Sequence, residues 1–165
     1  MATITPGTPE WLDQVKEEII EPERPIVDPH HHLWERPGSN YVLKDLWADT
    51  GSGHNIIKTV FIECHASYRT DGPEHLRPIG ETEFVAAIAA ESAKGGEGKV
   101  KIAGIVSNAN LTLGDKVEEV LQAHEEAGQG LFKGIRHAGA DSIDCSQIMV
   151  TQAGTAQQFT GKLLT

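Results

Sequence analysis

Apolar positions along the chain fall into two alternating patterns. Ile26-Val27, Ile56 to Glu63, Val100 to Val106 and Leu131 to Ile135 are short runs rich in β-branched residues, with the length of buried strands. Between them, apolar residues recur at helical spacing. Leu43, Leu46 and Trp47 mark a helix within Tyr41 to Asp49, and Phe84, Val85, Ile88 and Ala89 mark one from Glu81 to Ala93. A third carries Val117, Val120, Leu121 and His124 behind a capping box formed by Asp115 and Glu118. Gly51-Ser52-Gly53, Lys94-Gly95-Gly96 and Gly128 to Gly130 stop these helices. The Gly-Ser-Gly turn lacks the lysine and following helix of a phosphate-binding loop.

The order is therefore strand, helix, strand, helix, strand, helix, strand. Connections this short suit right-handed crossovers and a parallel sheet, so the fold class is α/β. Periodicity does not say whether the sheet is open or barrel-shaped. Ahead of it, Thr8-Pro9 followed by Trp11, Val15 and Ile19 predicts an amphipathic helix, and Glu21 to Pro25 reads as a linker. Asp28-Pro29 is expected to end the first strand and Glu35 to Asn40 to form a loop. The chain thus divides into 1–24 (helix and linker), 25–140 (the α/β unit) and 141–165 (a weakly patterned tail).

With 165 residues the chain fits one domain but falls short of the roughly 250 typical of a complete (β/α)8 barrel. Its net charge of −10 argues against nucleic-acid or anionic-membrane partners, which need clustered positive charge. Cys64 and Cys145 lie far apart outside any Cys-x-x-Cys spacing, and Cys64 reads as a small buried hydrophobe. No signal-peptide pattern or long apolar run appears, which makes a cytoplasmic protein the expectation.

The candidate chemistry collects at strand ends. His30 and His32 alternate along an extended segment, so both can face one pocket while His31 faces away. Such a pair can hold a metal ion, although zinc usually takes three or four protein ligands, and solvated or backbone-bonded histidines fit the same spacing. Glu63 and His65, Asn108, and then Arg136 and His137 also follow strands, where parallel α/β folds gather their sites. His124 sits on a buried stripe and reads as a satisfied core residue, while His54, His75 and Arg77 read as solvated or capping residues.

Several motifs stand in a recognisable order: Asp28-Pro29-His30-His31-His32-Leu33-Trp34, Phe61-Ile62-Glu63-Cys64-His65, Gly80-Glu81, Leu111-Thr112-Leu113-Gly114-Asp115 and Gly134-Ile135-Arg136-His137. Together they resemble the amidohydrolase-related family of the amidohydrolase superfamily, which includes lactone hydrolases and metal-dependent decarboxylases. The resemblance implies the first four strands and helices of a TIM (β/α)8-type barrel, with the C-terminal half missing. It implies hydrolysis of a small lactone or related carbonyl substrate by activated water, with little activity from this chain alone. His30 and His32 are then catalytic residues that bind a divalent metal, zinc before others, with a metal-independent mechanism left open. Arg136 would bind a substrate carboxylate, and Glu63 and His137 would line the site or support it. A decarboxylase is the alternative within the family, and a non-catalytic remnant or interaction module, capable of self-association, is the alternative outside it.

Overall fold

The computed structural model describes residues 4–137, so the tail 141–165 and Cys145 lie outside the described residues. Four parallel strands, β1 (Ile26–His31), β4 (Ile56–Ile62), β5 (Lys101–Asn108) and β6 (Phe132–Arg136), form one sheet in that order. The sheet is open among the described residues, with β1 and β6 at its edges. A two-stranded antiparallel hairpin, β2 (Trp34–Arg36) and β3 (Ser39–Tyr41), follows β1. Helices α2 (Leu43–Thr50), α3 (Ile79–Ala93) and α4 (Val117–Ala127) connect successive strands of the sheet.

The main core is built from Phe61 of β4 and Ile102 and Ile105 of β5, packed with Leu43 and Leu46 of α2 and Val85, Ala86 and Ala89 of α3. Burial of the phenylalanine, isoleucine, leucine and valine among these stabilises by about 1.5–3 kcal/mol each, which is why these runs choose strand and helix faces that meet. A second cluster joins Ile79, Ala109 and Val120, with Leu121 and Ile135 against it. Lys101 Nζ closes the end of α3 by donating to Ser92 O at 2.9 Å and Gly95 O at 2.5 Å.

Three expectations change. The N-terminal segment forms only a short helix, α1 (Pro9–Leu12), and Trp11, Leu12, Val15 and Ile20 are exposed. An isolated helix of that length is marginal unless its apolar stripe is covered, and here only Ile19, half-buried beside Gly53, finds a neighbour. Asp28-Pro29 does not end β1, which continues to His31 with a register break between Asp28 and His31. An edge strand tolerates proline because one of its sides needs no ladder donor. The segment 34–41 is a hairpin, with Trp34 stacked on Tyr41 at 5.2 Å, rather than a loop. A 3₁₀ stretch (Leu111–Lys116) leads directly into α4.

Among the described residues no helix is long and apolar enough to cross a membrane.

Candidate functional site at the carboxyl end of the sheet

His30 and His32 emerge at the end of β1 with their Nε2 atoms 3.2 Å apart and their rings nearly perpendicular at 84°. Asp28 Oδ1 accepts from the His30 backbone N–H at 3.0 Å and shapes this turn. His32 Nδ1 lies 2.8 Å from the Ile62 carbonyl oxygen. A carbonyl only accepts, so Nδ1 carries the proton and a neutral His32 presents a bare Nε2 toward His30. Two zinc-bound nitrogens at about 2.0–2.1 Å and a tetrahedral angle stand about 3.3 Å apart, so the pair fits as half of a ligand set. Among the described residues no group of three or more His, Cys, Asp or Glu is arranged to hold a metal.

His31 takes the opposite face, as alternation predicts. It is buried against Phe61, ring to ring at 5.9 Å, and burial pushes its pKa down to about 4.

The end of β4 is gripped at three successive carbonyls. His32 donates to Ile62 O, Arg136 Nη2 to Glu63 O at 2.7 Å, and Arg36 Nη2 to Cys64 O at 2.9 Å. Side chains from the end of β1, from β6 and from β2 therefore converge on one backbone turn. Arg136 also gives its Nε to Glu63 Oε1 at 2.7 Å, and the Glu63 side chain is only 5% exposed. Its other oxygen, Oε2, lies 3.3 Å from His65 Nδ1 without a hydrogen bond. Charge-assisted contacts of this kind fix geometry more firmly than neutral ones.

Sequence reasoning placed His30, His32, Glu63 and Arg136 at strand ends, and the structure brings them to one end of the sheet. His137 follows β6 there, half-buried. Reasoning from sequence missed Arg36, because a cation in an expected loop carries no signal until the hairpin turns it toward Cys64. It also left Glu81 without a role. Glu81 is buried in the first turn of α3, and its Oε1 accepts from Cys64 N at 3.0 Å and Ala66 N at 2.7 Å. Burial raises its pKa against the pull of those two amides. Cys64 is half-buried, and burial together with Glu81 pushes its thiol up to about 11, so it stays protonated rather than nucleophilic.

Two other histidines play structural parts. His124 is fully buried: its Nε2 donates to Asn108 O at 2.9 Å, its Nδ1 accepts from the Thr82 hydroxyl at 2.9 Å, and Ser107 lies 2.7 Å from that hydroxyl. His75 is not simply solvated but pairs with Glu119 at 3.0 Å. A groove of about 550 Å³, lined in part by His54, Asn55, Lys99 and Lys101, opens at the amino ends of β4 and β5, away from this chemistry. Comparison of the chain with protein-family models, with curated proteins and with solved structures finds no match.

Proposed function

We propose that this chain carries the first half of a (β/α)8-type hydrolase site, of the amidohydrolase-related kind, acting on a small lactone or related carbonyl compound. The observation that carries the reading is the His30–His32 pair, whose Nε2 atoms converge at 3.2 Å while Ile62 O fixes the His32 tautomer. That arrangement suits two roles. With a divalent metal such as zinc, His30 and His32 would supply two of its ligands, and the ion would polarise a carbonyl and lower the pKa of bound water. Without one, the Nε2–H that His30 directs at His32 would turn to a carbonyl oxygen as charge develops on it. Arg136, already aligned by Glu63, offers its remaining guanidinium edge to a substrate carboxylate.

A non-catalytic binding module is the second reading. It is favoured by the engagement of Arg136 Nε and Nη2 with Glu63, which commits much of that guanidinium to the protein itself.

The test joins a thermal melt with a lactone panel. Zinc at a hundredfold excess over its dissociation constant should stabilise the fold by about 2.7 kcal/mol, and His30→Ala should remove that shift. Turnover of a carboxylated lactone above background, lost in His30→Ala, supports the hydrolase. A zinc shift without turnover supports the binding module, and neither effect in the wild-type chain overturns the assignment of the pair.

A further inference from the structure

We propose that His65 is a further ligand-facing residue of this site, acting as an acid–base pair with Glu63 and presented by Glu81. Its catalytic role rests on the hydrolase reading, whereas the pairing and its presentation do not.

His65 has φ 60, and Ser67 beside it has φ 54. Left-handed backbone at residues other than glycine costs on the order of 1–3 kcal/mol and persists only where the surroundings impose it. Here they do. Glu81 Oε1 accepts the amides of Cys64 and Ala66, the two residues that flank His65. Gly80 lets the helix approach the same turn, since a Cβ there would stand 2.5 Å from Ser67 O and 2.7 Å from Arg69 N. A buried carboxylate and a side-chain-free helix turn thus clamp the loop 64–69.

The clamp sends the imidazole outward. The His65 side chain is 67% exposed at the carboxyl end of β4, its ring lies 5.4 Å from that of Tyr68, and its Nδ1 is 3.3 Å from Glu63 Oε2. Glu63 cannot follow other partners easily, because Arg136 holds its Oε1. A slight turn of the ring puts Nδ1–H on Oε2, which fixes the tautomer and leaves Nε2 as the base.

In hydrolysis, His65 Nε2 takes a proton from water while the water oxygen bonds to the lactone carbonyl carbon. The bond from that carbon to the ring oxygen then breaks, and His65 returns the proton to the departing alkoxide. The product is the open hydroxy acid, and no further reactant is needed.

Two measurements on the full chain test this. The first is carbethoxylation with diethylpyrocarbonate at about pH 8, where an unpaired imidazole is neutral, mapped by mass spectrometry. His65 should react about fivefold faster than exposed His54, with Glu63→Gln and Glu81→Ala returning it to the His54 rate. Glu81→Gln should retain the faster rate, because its amide oxygen can accept the same two N–H groups. Equal His65 rates in the wild type and in Glu63→Gln overturn the pair.

The second measurement is steady-state hydrolysis. His65→Asn, chosen because asparagine tolerates left-handed backbone, should lower kcat about a hundredfold with KM little changed. Glu81→Ala should lower kcat in the same way and Glu81→Gln should rescue it. If His30→Ala abolishes turnover while His65→Asn preserves it, the catalytic role of His65 falls and the hydrolase reading stands. If the wild type turns over nothing, the hydrolase reading falls and takes that role with it, and the modification rates alone decide the pair.

Discussion

A single hydrogen bond can decide what a histidine is for, and His32 and His124 show the two outcomes. Each gives one ring nitrogen to a backbone carbonyl, Ile62 O or Asn108 O, so each presents a defined second nitrogen. His32 turns that nitrogen toward His30 at the strand end, whereas His124 buries it against the Thr82 hydroxyl. Burial lowers the His124 pKa below its ordinary value of 6.5. The unfolded chain therefore binds the proton more readily, and stability present above about pH 6.5 is lost as pH falls. His31, pushed to about 4 by burial, acts in the same sense. Urea unfolding between pH 7 and 5 should show stability falling by up to about 1.4 kcal/mol per pH unit for each such group. His124→Gln, which can keep both hydrogen bonds, should flatten that slope while leaving the part due to His31. An unchanged slope would mean that His124 binds its proton equally well in the folded and unfolded chain. The stripe of Val117, Val120, Leu121 and His124 made this core role legible in the sequence, because helical spacing reports burial directly. The spacing of His30 and His32 showed only that they share a face. Their approach to 3.2 Å depends on the Ile62 carbonyl, thirty residues away from His32.

At the level of elements, the four parallel strands and their three connecting helices were legible because apolar runs and helical stripes are long enough to read. What escaped were features set by neighbours. Pro29 remains within β1 because β1 is an edge strand, a fact of strand order rather than of composition. The predicted N-terminal helix has an apolar stripe but finds no surface for Trp11, Leu12 and Val15. The contact between α3 and the loop after β4 escaped likewise, and it offers a sharp test. In Gly80→Ala the new methyl carbon would stand 2.5 Å from a backbone oxygen, so either helix or loop must shift. The expected cost is about 1–3 kcal/mol in denaturant unfolding, the usual range for overpacking. Gly134→Ala in β6 is the control, since a methyl there meets nothing within 4 Å. Its stability should be unchanged or raised slightly, because alanine restricts the unfolded chain. Equal effects of the two substitutions would show that the close approach at Gly80 does not govern the loop.

For the whole molecule, the open sheet sets hydrophobic attraction against charge repulsion. β1 and β6 present unpaired edges among the described residues, and Val27 and Ile57 on the neighbouring strands β1 and β4 are 51% and 43% exposed. Unpaired, apolar edges invite a second chain. Against this stands the net charge of −10, which makes two copies repel at long range. The two terms answer differently to salt. Screening shortens the reach of the charge from about 10 Å at 0.1 M to about 3 Å at 1 M, while apolar burial is not weakened by it. Sedimentation equilibrium should therefore give a mass near 17.9 kDa at low salt that rises with salt and with concentration. The double variant Val27→Lys, Ile57→Lys should stay at the low-salt mass throughout, because it removes the apolar term at the edge and leaves the fold's core untouched. A mass independent of salt in both chains would mean that this edge does not drive association. If added salt instead dissolved an existing assembly, ionic contacts would hold it together, and the sheet edge would not be the surface that joins the copies.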